Sequence, residues 1–148
     1  MLFVMDVGNT NTVMGIYQGE RLIENWRIRT ERNITEDEFY MLCISLFERN
    51  HIAEADIEKT IISCVVPPMM YVLESFCIKY LKHPPIWVDA RTAKIMPMRV
   101  HNPAEVGADR IVNAIAAYRK YGESLIVIDF GTATTFDAVS EKGELLGC

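Results

Sequence analysis

The chain has no Lys/Arg-rich run, no C-x-x-C pair, no histidine at metal-ligand spacing and no apolar stretch near the ~18 residues a membrane span requires. Each absence removes a class of function. Lys and Arg total 15 against 20 Asp and Glu, a net charge of −5, so neither nucleic acid nor a membrane surface is expected as a partner. The four cysteines do not read as a disulfide framework. Cys43 and Cys77 fall on the apolar faces of predicted helices and Cys64 in an apolar strand, the pattern of reduced core residues. His51, His83 and His101 are scattered near predicted loops and read as surface residues rather than catalysts. The opening Met1-Leu2-Phe3-Val4-Met5 is too short for a secretory core and lacks a basic lead-in, so the cytoplasm is the expected compartment. What remains is 148 residues, 50% hydrophobic and 24% charged, enough for a real core.

One short phrase occurs twice. Asp6-Val7-Gly8-Asn9-Thr10-Asn11 ends one apolar run, and Asp129-Phe130-Gly131-Thr132-Ala133-Thr134-Thr135 ends another. A strand that delivers an Asp, breaks on a Gly and turns through hydroxyl and amide side chains suits the grip of a phosphate and its metal. The glycine permits close backbone approach, and turn N–H groups can face anionic oxygens. A single Asp-x-Gly also serves ordinary hairpins. Repetition is architectural, and it predicts two halves closing around one nucleotide.

Periodicity supplies the frame. Strands are expected over 2–7, 12–17 and 22–29, forming a meander. Thr35 with Glu38 forms a capping box and Ile34 with Phe39 a hydrophobic staple, opening a helix to about Asn50 that buries Phe39, Leu42, Cys43, Leu46 and Phe47. Residues 60–66 read as a central strand covered on both faces, ended by Pro67-Pro68. A helix through Val72, Leu73, Phe76, Cys77, Tyr80 and Leu81 follows, then a short strand at 86–88. Residues 91–101 show no period and read as loop with a possible strand. Asn102-Pro103 starts a single turn, and a helix through Val112, Ile115, Ala116 and Arg119 ends at Gly122. Leu125-Ile126-Val127-Ile128 is expected as a buried strand delivering Asp129, with a return at 136–139 and a hairpin tip at Glu141-Lys142-Gly143-Glu144. The order β-β-β-α-β-α-β-α followed by a hairpin predicts an α/β fold with a mixed sheet. It is similar to the ribonuclease H-like, actin-like ATPase domain, with residues 1–122 as a first domain and 123–148 as the start of a second.

Three segments together carry a closer likeness: Asp6 to Asn11, Glu105-Val106-Gly107-Ala108-Asp109-Arg110, and Asp129 to Thr135. With Thr35-Glu36-Asp37-Glu38 and Ser63-Cys64-Val65-Val66-Pro67-Pro68, they make the whole chain resemble type III pantothenate kinases. The resemblance implies ATP-dependent phosphorylation of the primary hydroxyl of pantothenate, the first step towards coenzyme A, by a cytoplasmic homodimer. It also implies Mg2+ and a monovalent cation, K+ or NH4+. Carried over by residue, Asp6, Val7, Gly8, Asn9, Thr10, Asn11, Thr12 and Val13 form the first phosphate-binding segment, and Thr132 also meets the ATP phosphates. Gly107, Ala108, Asp109 and Arg110 bind pantothenate, with Asp109 as the catalytic proton acceptor. Asp129 holds the monovalent cation, and Asp6 orients magnesium through water.

Elementary chemistry agrees with these roles. Phosphoryl transfer needs positioning and charge neutralisation more than covalent help. An Asp at a helix start is favoured in its ionised form, as a base must be. Arg110 can meet a carboxylate through two parallel hydrogen bonds. Two departures stand out: Val100 where many members carry a substrate-touching Tyr, and an ending at Gly147-Cys148 where the family continues through a second domain. The chain therefore reads as a fragment with impaired activity, whose exposed hairpin favours dimerisation or aggregation. Two alternatives stay open, a non-catalytic regulatory accessory protein of the same fold and an actin-like kinase for another small molecule.

Overall fold

The computed structural model describes residues 1–90 and 94–148, which form two compact units, Met1–Trp87 and Val88–Cys148. The first holds a five-stranded sheet. Strands β1 (Leu2–Val7), β2 (Asn11–Gln18) and β3 (Arg21–Arg29) form the antiparallel meander, and β4 (Lys59–Cys64) and β5 (Ile86–Trp87) extend it in parallel, giving the order β3-β2-β1-β4-β5. Between them run α1 (Glu36–Arg49) and α2 (Pro67–Phe76). Pro67 and Pro68 open α2 as well as closing the strand, since the first helical positions need no N–H donor. The capping box is formed: Glu38 N–H donates to Thr35 Oγ1 at 3.3 Å and Thr35 N–H to Glu38 Oε2 at 2.9 Å.

The pleat places Phe3, Met5 and Val7 on one face, opposite Ile16, Met14 and Thr12 of β2 and Thr60, Ile62 and Cys64 of β4. Onto this face pack Phe39, Cys43 and Phe47 of α1 and Met69, Leu73 and Phe76 of α2. Phe3 meets Phe47, and Phe39 meets Phe76, edge to face at 5.3 and 5.0 Å. Each such buried side chain contributes about 1.5–3 kcal/mol of hydrophobic stabilisation. Both helices cover the same face of β4; on its other face Ser63 is buried and Ile61 half-buried. Past α2 the helix widens into a π-helical turn at Cys77–Leu81, closed by Lys82 at φ 63°. His83 differs from its expected place at the surface. It is half-buried, with Nε2 3.1 Å from the Thr60 hydroxyl and Nδ1 2.9 Å from the Leu81 carbonyl.

The second unit is built on α3 (Ala108–Tyr121) and an antiparallel sheet of β6 (Leu125–Phe130), β7 (Thr134–Val139) and β8 (Leu145–Gly147). Asn102 caps a single tight turn at Pro103–Glu105, and Gly122, at φ 70°, ends α3. The 91–93 part of the expected loop lies outside the described residues. Beyond it, Met98 bridges Leu145, with Arg99 N–H donating to the Leu145 carbonyl and Leu145 N–H to that of Pro97.

The helix expected through Val112, Ile115, Ala116 and Arg119 and ended by Gly122 is formed, and its buried residues are Ala108, Ile111 and Ala114. Small residues let the helix lie close to β6 and β7, and they carry a weak periodic signal. One expectation is corrected here. Strand β6 is not buried. Leu125, Val127 and Asp129 are half-buried, but Ile126 and Phe130 are 67% and 82% exposed, because among the described residues no element covers that side. The compact units divide at 87/88, and within the second α3 packs on β6 and β7.

Candidate active site

The expected site residues fall into two sets, one in each unit. In the first, β1 delivers Asp6 to the face opposite the core, in register with Val13 of β2 and Ser63 of β4. Ser63 Oγ donates to Asp6 Oδ1 at 2.9 Å. The turn then closes through Gly8 N–H to the Asn11 carbonyl at 3.0 Å, and a Cβ on Gly8 would stand 3.2 Å from that oxygen. Thr30 supports the turn from β3's end. Its hydroxyl donates to the Gly8 carbonyl at 2.7 Å, its N–H donates to the Thr10 carbonyl, and its Oγ1 lies 2.9 Å from that of Thr12. Asn9, Thr10 and Asn11 form an exposed rim, to which Arg32 brings a positive charge by donating to Asn9 Oδ1 at 2.8 Å. Val7 and Thr12 are buried beneath it, and Val13 is half-buried.

In the second unit Gly107 is the N-cap of α3, which places Ala108, Asp109 and Arg110 in the first turn. Ala108 is buried, while Asp109 and Arg110 are half-buried. Asp109 Oδ1 accepts the Arg110 N–H at 2.8 Å, so its carboxylate sits at the positive end of the helix. The Arg110 guanidinium reaches β7, where Nε donates to Asp137 Oδ1 at 2.7 Å and Nη2 to the Phe136 carbonyl at 2.9 Å. One helical turn on from Asp109, Asn113 Nδ2 donates to Asp129 Oδ2 at 3.2 Å. Gly131 N–H closes the second turn onto the Ala133 carbonyl at 3.1 Å, leaving Thr132 exposed at its tip. Burial raises the Asp137 carboxyl above the usual range; Arg110 opposes this, and the Asp109 and Asp129 charges add to it. Val100 packs against the apolar core of this unit.

Residues 2–148 match the type III pantothenate kinase family model. The chain belongs to the type III pantothenate kinase family. A protein of that name from Desulfatibacillum aliphaticivorans is 60% identical over 147 residues, covering 99% of this chain and 57% of the relative. Another from Desulforapulum autotrophicum is 56% identical over 148 residues, covering 99% and 56%. The chain thus spans little more than half the length of these relatives. Among solved structures, YeaZ from Pseudomonas aeruginosa aligns with a TM-score of 0.53 at 12% identity, over 97% of this chain and 61% of that one. That likeness concerns the fold alone, the actin-like ATPase α/β fold expected from the element order.

Asn113, Asp137, Thr30 and Arg32 were not singled out by the sequence reading. A signal existed for two of them. Asn113 stands four residues after Asp109, on the same helix face, and Asp137 is a carboxylate inside the apolar strand Phe136-Asp137-Ala138-Val139. Among the described residues no group of three or more His, Cys, Asp or Glu side chains is gathered to hold a metal, and no helix is long and apolar enough to cross a membrane. Asp6 and Asp129 offer hard oxygen donors singly. That fits a magnesium ion that keeps several waters and shares its shell with phosphate oxygens, or a monovalent cation.

Proposed function

We propose that the protein of which these residues form the family's N-terminal portion phosphorylates pantothenate at its primary hydroxyl with ATP, as the committing reaction towards coenzyme A. The observation that carries this reading is the family match over residues 2–148, with Asp109 and Arg110 side by side in the first turn of α3. Asp109 takes the hydroxyl proton as the nucleophile attacks. It stands in the first turn of α3, where its Oδ1 accepts the Arg110 N–H. Arg110 meets an anionic group with the hydrogens its partners on β7 leave over. The Asp6–Val13 turn and Thr132 hold phosphate oxygens. Asp6 would hold magnesium and Asp129 potassium or ammonium, which would supply positive charge against the phosphates. Ser63 and Asn113 donate to Asp6 and Asp129, the two carboxylates that would hold those ions. We place the working enzyme in the cytoplasm as a homodimer, with 1–122 as a first domain and 123–148 opening a second.

The test is pantothenate-dependent ADP formation with magnesium, comparing potassium and ammonium with sodium. Two proteins are assayed, the chain alone and the chain joined to the remaining segment of the 60% identical relative. The joined protein is expected to turn over only with pantothenate and faster with the larger cations, and the 148 residues alone slowly or not at all. A silent joined protein, with the intact relative active under the same conditions, would transfer the reading to a non-catalytic accessory protein. Turnover with another small alcohol but not with pantothenate would mark a different actin-like kinase.

A further inference from the structure

Asp137 is a costly residue for its place. It lies in the middle of β7 with its side chain 0% exposed, and its Oδ2 has no hydrogen-bond partner among the described residues. A strand interior is served better by an apolar or β-branched side chain, and a buried carboxylate is retained against a desolvation cost. What it touches is Arg110. Asp137 Oδ1 takes the Nε hydrogen and the adjacent Phe136 carbonyl takes one from Nη2, so a single stretch of β7 grips one edge of the planar guanidinium. A guanidinium carries five N–H donors in a fixed fork. The grip leaves Nη1 and the second Nη2 hydrogen on the other edge, and the Arg110 side chain keeps 24% of its exposure. Lysine cannot be held in this way, because its ammonium has no second edge to present.

We propose that Asp137 is a positioning residue that holds Arg110 by Nε and so aims the Nη1–Nη2 edge at an oxyanion of the bound reactants. The oxyanion is the pantothenate carboxylate or a phosphate oxygen, two sources of the same planar or near-planar acceptor pair. This rests on the pantothenate reading above, and it adds to that reading a residue that sets how tightly and how selectively the anion is taken.

The test uses the 148-residue chain in solution. The Arg110 Nε–H resonance, assigned by its loss in Arg110→Lys, is followed by NMR in the wild type and in Asp137→Asn. Three probes are titrated: pantothenate, the alcohol analogue in which CH2OH replaces its carboxylate, and inorganic phosphate. In the wild type the Nε–H line is expected to be sharp, and it shifts with pantothenate but not the alcohol if the carboxylate is the partner. It shifts with phosphate if the phosphoryl group is. In Asp137→Asn the line broadens and the recognised anion binds about tenfold more weakly, the scale of a lost charge-assisted pair, while the alcohol and the amide exchange of α3 and β7 are unchanged. Arg110→Lys, which keeps the charge and leaves Asp137 in place, loses the same factor and keeps the inference testable should the Asn variant fold poorly. Unchanged anion affinity in either variant overturns the inference and leaves the pantothenate reading standing. A wild type that takes phosphate but not pantothenate sinks the substrate reading and leaves the positioning role supported. A wild type that binds none of the three overturns the inference, and the ADP assay of the joined protein then decides the substrate reading by itself.

Discussion

The Arg110–Asp137 pair is asymmetric, and its two ends should respond very differently to removal. Asp137 is fully buried, whereas Arg110 is 24% exposed. In Arg110→Ala the carboxylate loses its only hydrogen-bond donor among the described residues and stays in the interior, which costs about 3–5 kcal/mol at neutral pH. In Asp137→Asn the guanidinium keeps the Phe136 carbonyl and its contact with water, while the charge-assisted hydrogen bond at Nε is lost. The buried charge is gone, so the net change lies within about 1 kcal/mol in either direction. pH separates the terms. The Asp137 pKa is raised, chiefly by burial, so the folded protein binds this proton more tightly than the unfolded chain. The stability linked to that proton is therefore complete below the unfolded carboxyl value and lost as pH rises through the higher folded value. Removing Arg110 takes away the influence that opposes the rise and lifts the folded value further. The cost of Arg110→Ala should then shrink as the pH is lowered from 7 towards 4, to about 1 kcal/mol for the lost hydrogen bond to Phe136. Asp137→Asn should lack that part of the pH dependence. Native-state hydrogen exchange of the α3 and β7 amides, corrected for intrinsic rates, reports this unit separately from the first. Equal costs for the two variants at pH 7, or a pH-independent cost for Arg110→Ala, would refute the reasoning.

Gly143 and Gly19 both have positive φ, 75° and 60°, but a Cβ at Gly143 would meet Tyr118 Cε1 at 2.5 Å while one at Gly19 meets nothing within 4 Å. Alanine at Gly19 should cost about 1–2 kcal/mol for the left-handed backbone alone, and alanine at Gly143 clearly more, as read by urea unfolding of each variant. Thiol labelling of the folded chain should modify the exposed Cys148 first. Cys77, whose thiol burial pushes to about 12, and the still more strongly shifted Cys43 should react only on unfolding, with mass spectrometry giving the order. Serine at Phe130 and Ile126 should leave folding stability within about 0.5 kcal/mol, since both side chains are exposed. The same pair should lower self-association in sedimentation, and undiminished association would show that this face is not the sticky one.

Much of the frame was legible in the sequence because it is local. The Thr35–Glu38 box, the apolar alternation of β1, the prolines at the start of α2 and Gly122 at the end of α3 each state their conformation within a few residues, where backbone sterics and nearest hydrogen bonds decide. The Asp6 and Asp129 turns and the Asp109-Arg110 pair were found in the same way, as residue types in a short pattern. What the sequence could not determine is which side of each element is covered and by what. Phe130 ends an apolar run yet stands in water, because exposure depends on a neighbour and not on the run. Ala108 and Ala114 are buried beside Ile111 on the inner side of α3, while Ala116 and Arg119 stand in water. Thr30 beneath Gly8, His83 against Thr60 and Asp137 on Arg110 join residues 22, 23 and 27 positions apart. No local propensity encodes such pairs. They exist because burial makes an unpaired polar group expensive, and only the tertiary structure decides which partners are within reach to satisfy it.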